Sequence, residues 1–174
     1  MLVFPAAVDT EEKKDKFTRL YERYNRLMLH TAYRILGNEE DTEDAVQEAL
    51  LAIAQHFYKI SDVDSPKTRA FVVIIVERKS IDLLRKRQEA LPLDEAALLP
   101  SREEPMTALS PLAEAIAALP MRDRQLLTLR AVCGFSPAET ARLLDMKLTA
   151  TYKAEQRAKK RLRELLKEYE EESP

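Results

Sequence analysis

Tryptophan is absent, glycine occurs twice and cysteine once in these 174 residues, and each scarcity removes a class of protein. Two glycines cannot build glycine-rich phosphate loops, nor the positive-φ turns of β-sandwiches and barrels, so helices are the economical alternative. One thiol, Cys133, forms no internal disulfide, and with only His30 and His56 as imidazoles there is no His/Cys zinc cluster. A reducing, cytoplasmic setting is expected. No long uncharged apolar run is present to span a bilayer, and the start MLVFPAAVDTEEKKDKF lacks the basic flank of a secretory leader, so membrane insertion is not expected. What is present is a chain 45% hydrophobic and 33% charged, enough to fold one ordinary domain or two small ones.

The formal net charge of −2 hides a pattern along the chain. Residues 1–60 carry −3, 61–88 carry +3, 89–120 carry −5 and 121–174 carry +3. Two cationic zones separated by an acidic connector with prolines at 92, 100 and 105 suggest two surfaces that meet a polyanion and a tether that does not.

Apolar residues at Phe17, Leu20, Tyr21, Tyr24, Leu27, Met28, Thr31 and Ile35 recur at steps of three and four and predict a first helix closed by Gly37. His30, on or near that helix's apolar side, reads as structural. A second helix after Asn38 turns Ala45, Val46, Ala49, Leu50, Ile53 and Phe57 inward and gathers acids in its first turns, where the helix dipole favours them. Ser65-Pro66 opens a third segment to about Arg87. Its five consecutive β-branched residues, Val72 to Val76, favour a strand by propensity, but helical flanks and the absence of turn residues predict one buried helix. Residues 88–110 have linker composition. Beyond them, Ser110-Pro111 starts a short helix to Leu119, a second covers roughly Arg122 to Val132 before Gly134, and Ser136-Pro137 starts a third. A long segment follows from about Leu148, and the tail EYEEESP is expected to fray.

Segment 137–156, PAETARLLDMKLTATYKAEQ, has helix-turn-helix spacing: Ala141 where two helices cross closely, Leu144 and Met146 beside the turn, and Asp145 at the positive-φ position. Lys147, Thr149, Tyr152, Lys153 and Gln156 then project near the start of a recognition helix, with Arg157, Lys160, Arg161 and Arg163 further along. Residues 147–163 hold seven basic side chains against Glu155, enough for several phosphate contacts and a steep salt dependence.

DTEDAVQEALLAIAQHF at 41–57, KSIDLLRKR at 79–87, and LPMRDRQLLTLRAVCGFSPAETARLLDM at 119–146 followed by QRAKKRLREL at 156–165 together resemble one family: the extracytoplasmic-function (ECF, group IV) sigma factors of the sigma-70 family. The resemblance implies an all-α chain of two small helical domains. Residues 10–88 would be a sigma-2-like domain, 89–110 an acidic linker along the RNA exit path, and 111–168 a sigma-4-like helix-turn-helix domain. It implies that Asp41, Asp44, Gln47 and Glu48 face the clamp coiled coil of core RNA polymerase. The loop from Ile60 to Lys67 would capture a flipped base of the promoter −10 element. Lys67, Arg69, Phe71, Arg78, Lys79, Arg85, Lys86 and Arg87 would serve that element, while Lys147, Thr149, Tyr152, Lys153, Gln156, Arg157 and Lys160 would read promoter DNA at −35. Melting of this kind stabilises an unstacked base and needs no hydrolysis, cofactor or metal.

The chain departs from the family pattern where an aromatic pair is usual and Phe71 stands alone, and where "R-N" is Glu77-Arg78. Glu155 occupies a commonly apolar or basic position; it either accepts from a cytosine N4 or is a blemish. Glu77, Glu155 and the low net charge would also suit a sigma-like decoy that binds an anti-sigma factor and never touches DNA. A plain helix-turn-helix regulator leaves the 41–57 and 79–87 matches unexplained. An enzyme is disfavoured, since no histidine is placed by sequence to activate Cys133.

Overall fold

The computed structural model describes residues 6–88 and 111–172, and the linker expectation lies outside them. The chain divides into two compact units, Met1–Ala90 and Leu91–Pro174. Among the described residues there is no strand.

In the first unit, α1 spans Glu11–Leu36, capped by the Thr10 hydroxyl on the Lys13 N–H and closed by Gly37 at φ 74. Asn38 then caps α2, Glu39–Gln55, through its side-chain oxygen on the Asp41 N–H. Three acids in the first turn of α2 meet the positive end of the helix dipole. A single 3-10 turn, Phe57–Lys59, leads to the loop before α3, Pro66–Gln88. All three helices pack on one another around Phe17, Leu20, Met28, Ala49, Ile53, Val72, Ile75 and Ile81, each no more than 2% exposed.

Residues 71–78 of α3 are buried without interruption, and that explains why a β-branched run is helical. Helix propensity costs about 0.5 kcal/mol for each Val or Ile. Burial returns roughly 1.5–3 kcal/mol for each, so packing decides. His30 is exposed on α1, which corrects its expected place on the apolar side. Buried Phe17, Leu20, Tyr24, Met28 and Ala32 mark the inner face, and His30 lies opposite them.

In the second unit, α4 spans Pro111–Ala118 and α5 Met121–Leu127, and α6 spans Pro137–Leu143. The 25-residue α7, Leu148–Glu172, packs against all three. The helix expected over 122–132 changes character at Thr128, where a π-type turn runs to Val132 and the Cys133 N–H donates to Thr128 O at 2.9 Å. Gly134 at φ 72 then reverses the chain. Ser136 and Glu139 form a reciprocal capping box at the start of α6. α7 runs into the acidic tail as far as Glu172. Cys133 is buried.

Candidate functional site

The junction of α6 and α7 is a tight turn. Asp145 holds φ 50, the one positive-φ non-glycine among the described residues, and the Met146 N–H returns to Ala141 O at 2.8 Å. An aspartate tolerates this region because its short polar side chain bonds locally. Leu144 and Ala141 are buried beneath the turn, which sets how α7 leaves it.

The 3.6-residue period sorts α7 into an inner and an outer face. Thr151, Ala154, Glu155 and Ala158 are buried, while Lys147, Thr149, Tyr152, Lys153, Gln156, Arg157 and Lys160 are all exposed. The outer residues form two neighbouring rows. Thr149, Tyr152 and Gln156 carry hydrogen-bonding and aromatic groups without charge; Lys153, Arg157 and Lys160 are cationic. Such a pair of rows can present base-reading groups to a groove and cations to the phosphates beside it.

Glu155 belongs to the inner face. Its carboxylate accepts from Arg130 Nε at 3.1 Å and pairs with Lys159 Nζ at 2.8 Å, and Arg130 also donates to Phe135 O at 2.5 Å. The hydrogen bond from Lys159, supported by Arg130 and opposed by burial, holds this carboxyl below the usual carboxylate value. Glu155 is therefore a strut between α7 and the chain after α5, and it does not face the exposed rows. Arg161 is held by Asp123 and Lys160 Nζ lies 3.9 Å from Glu164, so three of the seven basic groups, Lys159, Lys160 and Arg161, have an acidic partner inside the unit. Arg130 was not singled out by sequence; the uncommon acid at 155 was the one available clue to a buried cation opposite.

In the first unit the loop before α3 is strapped down at several points. The Lys16 ammonium donates to Ile60 O, and Tyr24 Oη donates to Val63 O at 2.6 Å. Arg19 and Arg23 pair with Asp64 at 3.4 and 3.2 Å. Ser65 Oγ and Thr68 Oγ1 both donate to Asp62 O, at 3.0 and 2.6 Å. Burial raises the Tyr24 phenol above its ordinary value, so it remains a neutral donor. Beside this loop, in the first turn of α3, Lys67 and Arg69 are exposed. Sequence reading placed the loop but missed the α1 residues that fix it, because their partners lie about 40 positions away.

The remaining candidates divide into surface and interior. Asp44, Gln47 and Glu48 line the exposed side of α2, with Glu48 3.9 Å from Lys79 Nζ. Lys86 and Arg87 are exposed and Arg85 is half-buried. Asp41, expected on the outer acidic face, is 3% exposed, accepts from Asn38 Nδ2 at 2.7 Å and pairs with Arg87. It clamps the start of α2 to the end of α3, and Arg87 is its partner. Phe71 and Arg78, expected to serve DNA, are 2% and 5% exposed; Phe71 lies edge-on to His56 and Arg78 pairs with Asp82 at 3.6 Å. Glu77 is also buried. Among the described residues no group of His, Cys, Asp or Glu could hold a metal ion, and no helix is long and apolar enough to cross a membrane.

Comparison with known proteins meets this geometry at both units. Residues 20–90 match the Sigma-70 region 2 family and residues 109–162 the Sigma-70, region 4 family. The chain is 33% identical over 147 residues to the ECF RNA polymerase sigma factor SigF of Caulobacter vibrioides, covering 82% of this chain and 80% of that one. This chain belongs to the ECF sigma factors of the sigma-70 family. A second member, the ECF RNA polymerase sigma factor ShbA of Streptomyces griseus, is 32% identical over 161 residues with the same coverage. Among solved structures, this ECF sigma factor is similar to CnrH in its complex with the cytosolic domain of CnrY, at 25% identity, TM-score 0.39, and 93% and 92% coverage. It is also similar to RpoE bound to the anti-sigma factor NepR from Bartonella quintana, at 21% identity, TM-score 0.43, and 91% and 98% coverage. The helix-turn-helix and the strapped loop thus lie within regions 4 and 2 respectively.

Proposed function

We propose that this ECF sigma factor binds core RNA polymerase and directs initiation at promoters read at two places, with no catalysis of its own, in the cytoplasm. In region 4, Thr149, Tyr152 and Gln156 read −35 base edges while Lys147, Lys153, Arg157 and Lys160 hold phosphates. In region 2 the strapped loop captures an unstacked −10 base, with Lys67, Arg69, Lys79, Arg85 and Lys86 holding the strand. Asp44, Gln47 and Glu48 dock on core polymerase. An anti-sigma factor is the expected regulator, and it would compete for these same surfaces. No cofactor is required, because the energy for unpairing comes from contacts made only in the open state.

The observation that carries this reading is the paired arrangement on α7, an uncharged row beside a cationic one on the exposed face of a helix-turn-helix. The decoy alternative loses one support, since Glu155 is occupied by Arg130 and Lys159 and does not repel DNA from the outer face. Binding of a promoter −35 duplex by the Lys153→Ala/Arg157→Ala variant tests the assignment. Two lost phosphate contacts reduce the log–log salt slope by about 1.8, at 0.9 per phosphate. A slope and affinity equal to the parent protein's contradict the recognition-helix role.

A further inference from the structure

The region 4 match ends at residue 162, but α7 runs on to Glu172 without a break. Its two parts differ in sign. Residues 147–163 hold seven basic side chains against one acid, and 164–172 hold five acids against Lys167. The last turn of α7 carries no basic residue, although the negative end of the helix dipole favours cations there. Positive charge brought from another chain would stabilise such an end.

Segment 159–172 reads KKRLRELLKEYEEE, and its two halves mirror one another about the point between Leu165 and Leu166. Counted outward from that point, Leu165 mirrors Leu166, Glu164 mirrors Lys167, Arg163 mirrors Glu168 and Leu162 mirrors Tyr169. Beyond them Arg161, Lys160 and Lys159 mirror Glu170, Glu171 and Glu172. Every charged position thus has the opposite sign as its image, and every apolar position an apolar one. Apart from Glu164 and Lys167 these pairs are not neighbours within one helix, where residues three and four apart meet. Two antiparallel copies about a two-fold axis set all of them level, because residue i then lies beside j and j beside i. Leu162, Leu165 and Leu166 are half-buried, and Arg163 and Glu168 are exposed. Since Lys159, Lys160 and Arg161 already serve Glu155, Glu164 and Asp123, charge contact between copies falls first on Arg163 and Glu168.

We propose that a second copy of this chain docks on the end of α7, with residues 159–172 of the two copies antiparallel and centred between Leu165 and Leu166. Leu162, Leu165 and Leu166 give the apolar contact, and Arg163 of each copy pairs with Glu168 of the other. The acidic end of each helix then lies against the basic middle of its neighbour. DNA is a poor occupant of this end, because the five acids of 164–172 repel a polyanion. At 1.5 Å per residue the shared stretch is about 21 Å long. Its fourteen residues a side are fewer than the roughly 20–30 of a standard interface, so the pair forms at high protein concentration and gives single chains on dilution.

Sedimentation equilibrium of the full chain, from micromolar to near-millimolar concentration, reads the association, with circular dichroism as the check on folding. The parent protein is expected to pass from monomer to dimer and no further as concentration rises, and to do so less readily at high salt. Arg163→Glu and Glu168→Arg each set like charges across the axis twice, and each is expected to weaken the dimer about tenfold. The double variant Arg163→Glu/Glu168→Arg restores opposite signs and recovers the parent's association. An equimolar mixture of the two single variants recovers it too, as a mixed dimer, which no contact within one chain can do. A parent protein that stays monomeric over the whole range overturns the pairing. So do single variants that associate like the parent, or a double variant and a mixture that stay as weak as the singles. If Arg163→Glu alters only the capture of core polymerase, this end of α7 is a polymerase contact and the pairing is likewise overturned.

Discussion

Asp145 sits in a conformation that costs most L-residues about 1–2 kcal/mol, at the turn that leads into α7. Asp145→Ala is therefore expected to lower stability by about 1 kcal/mol, with Asp145→Gly neutral or slightly stabilising, as read by urea denaturation. Equal midpoints for Ala and Gly would remove the strain argument. Glu155 acts through charge. Its folded carboxyl lies below the unfolded value, so the stability it contributes is fully present above the ordinary carboxylate range and is lost as pH falls through the folded value. Glu155→Gln is expected to cost about 1–3 kcal/mol near neutrality and to lose less than the parent as pH falls into that range. The same pH dependence in both proteins would show that the strut is not ionic. Asp145 was readable from spacing. Glu155 was not, because which way its side chain faces depends on Arg130, 25 positions away.

Capping residues made most helix boundaries legible. Gly37, Asn38 and Gly134 each stand where the chain requires a left-handed residue or a side-chain acceptor, and each occupies that place. Ser136 goes further, since its box with Glu139 supports a helix of only seven residues. Such a short helix holds little stability of its own. Ser136→Ala is expected to cost about 1 kcal/mol and to weaken −35 duplex binding without changing its salt slope, since no phosphate contact is lost. A changed slope would place Ser136 at the DNA itself. The π-type turn at Thr128–Val132 was not legible: TLRAV reads as ordinary helix, and the extra residue is accommodated by the Cys133 and Phe135 N–H groups bonding back to Thr128 and Leu129. The valine-isoleucine run of α3 was legible only by its flanks, because local propensity pointed to a strand and packing overruled it.

Charge blocks along the chain gave the two-unit plan and the sign of each surface, yet they could not separate exposed charge from spent charge. Asp41 and Arg87, Glu155 and Lys159, Asp123 and Arg161 cancel one another inside their units. The exposed charge includes Asp44 and Glu48 on α2 and the cationic row on α7. Under the proposed function the acidic face of α2 meets the polymerase and the basic faces meet DNA. The most direct measurement is transcription in vitro by bacterial core polymerase on a promoter library, with the parent protein and with Asp44→Lys/Glu48→Lys. The parent protein is expected to start transcripts from a subset of templates sharing −35 and −10 sequences, and the charge-reversed protein to lose those starts while still binding the −35 duplex. The same transcripts with and without the parent protein would contradict the account.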